Sequence, residues 1–353
     1  EVPGEILVTG SASNGASESV RLATNNAALA SRHGEYFWKA LDVANSAGLF
    51  STTNLHIRAT LSQGTQSLVR AETRSALVPK TPEVFTHDPD GNLLTDGLWT
   101  NTWNAENRLI AVESLSAVPD ARKKRLEFKY DYQGRRTEKK TLSSYSGGSY
   151  SSTNTTTFVW DGWNIVAETC NRQSQITTNS YIWGLDLSGS LQGAGGVGGL
   201  AFLSVNGTNC FPVYNGNGDV MALVSTSGAI LAEYEYSPFG VTLRAGGQMA
   251  KANPFRFSTK PTDDEAGIVA YQLRDYRPDL ARWLVRDSVQ ETAGPGLYLY
   301  VENNPVTIID ILGLLADKKR HQEYQQLISQ TSLEVRNGDR SSCGAFAYLV
   351  GKL

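Results

Sequence analysis

The chain has 353 residues, enough for two or three domains with a sizeable buried core. Its 40% hydrophobic and 19% charged residues describe a globular chain, and a net charge of −3 supplies no basic field for a nucleic-acid backbone, which excludes that partner. Apolar runs break at Gly or charge well before the roughly 18 residues a membrane helix needs, so no transmembrane segment is expected. Cys170, Cys210 and Cys343 are far apart with no CxxC, and His33, His56, His87 and His321 form no HxH or HExxH pair. Neither a disulfide framework nor a metal site follows, and no cofactor is expected. The chain starts at Glu1 without Met or a signal peptide and reads as a piece of something longer.

In chain order, residues 1–80 show strand alternation without a repeat. In Asn54–Leu61 the residues Leu55, Ile57, Ala59 and Leu61 share one face, and Asn54, His56, Arg58 and Thr60 the other. This predicts a small sandwich-like β unit, joined at Pro79–Pro82 to an all-β stretch. Alternation returns at Ile230, Ala232, Tyr234 and Tyr236 against Leu231, Glu233 and Glu235. Clusters such as Ser143–Thr157 and Gly193–Gly199 read as hairpin tips or surface loops. After Leu314, Asp317–Ile328 is charged, free of Gly and Pro and helical in propensity. That sets off a variable, partly helical tail, 315–353.

A degenerate pattern recurs in between: an aromatic, then Asp or Asn, two variable residues, then Gly or Asn. Tyr130-Asp131-Tyr132-Gln133-Gly134-Arg135 is the full form. His87–Asn92, Trp103–Arg108 and Tyr214–Asp219 are weaker copies, and Trp160–Asn164 is a looser relative. The aromatic ends a strand, Asp or Asn opens a turn by bonding the backbone, and Gly or Asn accepts positive φ. A string of such corners builds an extended, coiling antiparallel sheet.

This series resembles the YD-repeat, or RHS-repeat, family, and its end resembles the RHS-associated core domain. The core resemblance runs through Pro254–Ser258, Gly267-Ile268, Arg274–Pro278, Arg282–Leu284, Asp287 and Leu297–Val306 to Asp310-Ile311-Leu312-Gly313-Leu314. It implies a partial β shell at 83–253 and a core, or plug, at 254–314. The family's shell encloses a variable C-terminal polypeptide, often a toxin, so the implied partner is the protein's own cargo within a bacterial delivery complex. The full-length protein would be secreted or held at the cell surface.

The resemblance also implies chemistry. In many members the core cuts the enclosed polypeptide free by an aspartyl-protease-like reaction after the Leu of DPxGL, with a second carboxylate from a paired DPxGx motif. Asp310 follows Asp287 by 23 positions (310 − 287), the spacing the paired motifs require. Two close carboxylates share a proton, so one acts as base on water while the other acts as acid. Asp287 and Asp310 are then the catalytic pair, Arg274 holds a carboxylate or the oxyanion, and the bond cut is Leu314–Leu315. Ser288 and Ile311 replace the two prolines, Gln290 the first glycine, and Arg277 a family aspartate. Two readings stay open: a self-cleaving site, or turn residues of a plug that no longer cuts.

Other signals read blandly. Gly193–Gly198 satisfies GxGxxG, but Leu200–Val205 after it reads as a strand rather than the helix a dinucleotide site needs. Glu233 and Glu235 face solvent beside Tyr234 and Tyr236. Lys123–Arg125 and Arg135-Arg136 are too short for a nucleic-acid patch. The alternative to the shell is a cell-surface adhesive repeat protein whose aromatic faces bind carbohydrate. Trp99 with Trp103, and Tyr181 with Trp183, share strand faces; turned inward they line a shell, turned outward they make a sugar platform.

Overall fold

Each turn of the repeat closes through its own side chain. At Asp131 the carboxylate Oδ1 accepts the amides of Gln133 (2.9 Å) and Arg135 (3.0 Å), and Gly134 turns the chain at φ 85°. Asn104 and Asn215 cap their turns the same way, from Glu106 and Arg108 and from Asn217 and Asp219. The aromatic before the turn does more than pack. Tyr130 Oη donates to the Leu109 carbonyl, Trp103 Nε1 to Leu93, Trp160 Nε1 to Arg136 and Tyr214 Oη to Leu200. Each is a half-buried ring with its polar tip bonded to a neighbouring backbone, which fixes the depth of the strand end. Trp183 and Tyr236 repeat the device on the carbonyls of Ile165 and Val220, so Tyr236–Gly240 is a further copy that its Ser237 had disguised.

The computed structural model describes residues 4–22, 28–287, 296–311 and 313. The helical tail expected from Asp317–Ile328, and Leu314 and Leu315, lie outside the described residues. Among the described residues the elements are β-strands and three-residue 3-10 turns, and no helix is long and apolar enough to cross a membrane. The longest sheet has fourteen antiparallel strands arranged strictly in chain order, from Thr86–His87 to Thr242–Gly246. This is the extended all-β sheet the alternation calls for.

Two compact units share the chain. The first comprises residues up to Thr86 with Thr95–Thr100 and Ser114–Lys123. In it a three-stranded sheet (Glu5–Ser11, Tyr36–Asp42, Ser31–His33) and a four-stranded sheet (Ala28–Leu29, Ser17–Leu22, Phe50–Gln63, Gln66–Val78) bury Val8 and Phe37 against Val20 and Leu55. That is a sandwich-like packing of two inner faces.

The second unit comprises His87–Leu94, Asn101–Glu113 and the chain from Lys124 on. One core cluster joins Leu200, Leu203, Val220, Leu223 and Tyr234 of the long sheet to Phe255. Another gathers Phe257, Tyr271, Tyr276, Trp283 and Tyr300 around a small four-stranded sheet that starts at Thr262–Asp263, with the Tyr276 and Tyr300 rings 4.2 Å apart. Buried charge ties that sheet to strand Arg136–Ser146: Arg136 bonds Asp263 (2.7 Å) and Asp275 (3.0 Å), and Lys139 bonds Asp263 (2.5 Å) and Glu265 (2.9 Å).

The Gly193–Gly199 segment departs from the hairpin tip expected of it. Ala194 and Val197 are buried, and Asp186 Oδ2 accepts the amides of Ala194 (2.6 Å) and Gly196 (3.1 Å). A backbone poor in side chains can be buried when a carboxylate supplies its acceptors.

Candidate active site

Asp287 sits on the first arm of an antiparallel pair. Trp283 N donates to Tyr298 O and Asp287 N to Leu297 O, each at 3.0 Å. Arg274 occupies the turn before strand Asp275–Arg277, its guanidinium 4.2 Å above the Trp283 ring. Asp310 follows the aromatic core, and its Oδ1 accepts the Gly313 amide at 2.7 Å.

These three residues converge. Arg274 Nη2 lies 2.8 Å from Asp287 Oδ2 and 3.5 Å from Asp310 Oδ2, so the two oxygens are at most about 6.3 Å apart, the two distances laid end to end. Arg274 Nε donates to the Gly313 carbonyl. The Gly313 peptide is therefore held at both ends, its N–H by Asp310 and its C=O by Arg274. Gly313 has φ 80°, and an added Cβ would lie 3.1 Å from Tyr271 Cβ, so the position favours glycine twice over. All three charged groups are buried, Asp310 at 1% exposure. Burial pulls Arg274 below its ordinary value, with Asp287 and Asp310 opposing.

Lys260 carries no motif that marks it in the sequence. It is fully buried and donates to Gly195 O (2.8 Å), Gln272 Oε1 (2.8 Å) and Ile311 O (2.9 Å). Burial brings it down to about 7, with Asp310 and Asp186 resisting. Three acceptors match the three donors of an ammonium. The Ile311 side chain packs on Leu187, Ala194 and Val197. Where a proline would have stiffened position 311, packing and the Lys260 bond hold the backbone instead. Ser288, Gln290 and Leu312 lie outside the described residues.

The remaining candidates are accounted for structurally. Trp99 and Tyr181 are buried, while Trp103 and Trp183 spend their indole N–H groups on carbonyls. Glu233 and Glu235 both pair with Arg244, at 3.2 and 3.0 Å. Arg277 pairs with Asp279 at 2.5 Å. Among the described residues no cluster of His, Cys, Asp and Glu could hold a metal ion.

A serial antiparallel sheet with capped aromatic corners, feeding an aromatic core that carries two carboxylates, defines a shell-type repeat protein. No family model matches the chain. It is 31% identical over 235 residues to the tRNA3(Ser)-specific nuclease WapA of Bacillus spizizenii, covering 65% of this chain and 9% of that protein. It is 27% identical over 283 residues to the double-stranded DNA deaminase toxin A of Burkholderia cenocepacia, covering 75% and 19%. The TcdB2-TccC3 crystal structure shares the fold with a TM-score of 0.52 at 20% identity, over 74% of this chain and 14% of that one. The chain is similar to RHS-repeat toxin proteins in sequence and to an RHS shell in fold. It spans about a tenth of the length of the WapA proteins it matches.

Proposed function

We propose that this chain closes an RHS shell at 83–253 with a core at 254–314 that releases the polypeptide beginning at Leu315 by aspartyl-type self-cleavage. The observation that carries this reading is the Gly313 peptide, one residue before the Leu314–Leu315 bond, held between Asp310 and Arg274 beside Asp287.

In the reaction, one carboxylate takes a proton from water as its oxygen attacks the Leu314 carbonyl carbon. The other, protonated, donates to the carbonyl oxygen. Collapse of the tetrahedral intermediate breaks the C–N bond, the nitrogen of Leu315 takes the proton, and Leu314 is left as a new C-terminus. Arg274 orients Asp287 and the Gly313 carbonyl so that the next peptide is presented. A peptide misplaced by about an ångström slows such a step by about a hundredfold.

The names of the relatives, nuclease and deaminase toxin, support a toxic cargo delivered outside the producing cell. The carbohydrate-binding alternative loses support from Trp103, Trp160 and Trp183, whose indoles are half-buried and bonded to backbone. The test is N-terminal sequencing of fragments from the wild type, Asp287→Asn and Asp310→Asn. A fragment starting at Leu315 in the wild type alone supports the reading; the same fragment from both variants, or none from any, defeats it.

A further inference from the structure

The hairpin that bears Asp287 is gripped by the first turn of the long sheet. Leu93 N donates to Leu284 O at 2.9 Å, three residues before Asp287. Arg286, its immediate neighbour, donates from Nε to Asp90 O (2.6 Å) and from Nη2 to Pro89 O (3.2 Å). From the other arm, Tyr298 Oη donates to Gly91 O at 2.8 Å, and its ring lies edge-on to His87 at 6.0 Å. The turn is itself stiff: Asp88 accepts the Asn92 amide and side chain, and Asn92 Nδ2 also reaches Asn107 Oδ1, each at 2.8 Å. Gly91 has φ 83°, and any Cβ there would run into Tyr298 Oη and Arg286 Nε.

We propose that the turn Asp88–Asn92, with Arg286 and Tyr298 that hold it, is the positioning element for Asp287, so that the carboxylate pair is complete only once the first turn has docked. The proposal rests on the self-cleavage reading. The partners are 196 to 207 residues apart in sequence, with the long sheet between them. Such contacts close a long loop and form after local hairpins. The Asp310 half of the site owes nothing to this turn, because Lys260 and Gly313 are its anchors. Cleavage is thereby timed: the cargo bond is cut after the intervening hairpins are in place, not while they are forming.

The experiment uses the full chain with Gly91→Ala, Tyr298→Phe, Arg286→Ala and Arg286→Lys, and Tyr132→Phe, an exposed ring at another corner, as a control. Hydrogen exchange is read on 282–287 and 296–299 against 268–277, and the fragment ending at Leu314 is timed. Expected are faster exchange of the hairpin alone and about a tenfold slower cut in the first three variants. Arg286→Lys should restore most of both, and the control should change neither. Unchanged hairpin exchange in Gly91→Ala and Tyr298→Phe overturns the proposal, as does loosened exchange with cleavage at the wild-type rate. If the wild type yields no fragment, the self-cleavage reading fails, and exchange alone decides the clamp: a loosened hairpin supports it, an unchanged one refutes it.

Discussion

Replacing Arg136 by Met tests how the core is fastened to the long sheet. Arg136 is buried over the Phe128 ring, 3.9 Å from its centroid, and Met keeps much of that packing. Its loss leaves Asp263 with Lys139 but takes from Asp275 its one cationic partner among the described residues. A buried carboxylate stripped of its cation costs about 3–5 kcal/mol. The effect depends on pH. Burial raises Asp275 to about 6, with Arg136 opposing, so its folded value stands above the ordinary 3.8. Between those values the folded state keeps a proton the unfolded state has lost, and stability from this group falls as pH rises through the window. Without Arg136 the carboxyl rises further. At pH 5 it is mostly protonated in both proteins, and the cost should shrink to about 1–2 kcal/mol. Urea unfolding at pH 8 and pH 5, followed by tryptophan fluorescence, reads this, because Trp103, Trp160, Trp163, Trp183 and Trp283 all lie in the second unit. Arg136→Met with Asp275→Asn should recover more than half of the loss at pH 8. A cost below about 1 kcal/mol at pH 8, or one equal at both pH values, would refute the reasoning.

Other perturbations have equally definite outcomes. Lys260→Met takes the donor from Ile311 O and Gln272 Oε1, while Gly195 O keeps Gln272 Nε2, and should cost about 2 kcal/mol at pH 6 in the same assay. Because the folded Lys260 value of about 7 lies below the ordinary 10.5, wild-type stability rises with pH above 7 as the folded state sheds the proton first. The gap between wild type and Lys260→Met should therefore widen from pH 7 to pH 9, and parallel curves would contradict it. Tyr214→Phe removes the bond to the Leu200 carbonyl and should cost about 1 kcal/mol in urea unfolding. Gly313→Ala forces a Cβ toward Tyr271 and a non-glycine residue to φ 80°, and should stop release of the Leu315 fragment on a gel while costing about 1–2 kcal/mol.

The corners were readable because their chemistry is local: Asp131, Asn104 and Asn215 bond amides two and four residues away. Ser237 hid a corner because its hydroxyl replaces the Asx side chain while making the same bond to Val241 N. The register of 23 drew attention to Asp287 and Asp310, and Arg274 is where the two meet. What escaped depends on distant pairs. Arg136 read as half of a short basic dipeptide, yet it faces acids 127 and 139 residues away. Lys260 has one acceptor 65 residues before it and another 51 after it. Gly193–Gly199 is ambiguous in sequence because low side-chain content looks the same in a solvated tip as in a loop buried around Asp186.

The central claim is that Asp287 and Asp310 direct water onto the Leu314 carbonyl. The most direct measurement is an intact-mass time course of the wild type and Asp310→Asn, incubated in water enriched in the heavy oxygen isotope at about pH 5. Slow growth of a fragment ending at Leu314 that carries one heavy oxygen is expected, in the wild type only. An uncut wild type, or a fragment that forms equally in Asp310→Asn, would contradict it.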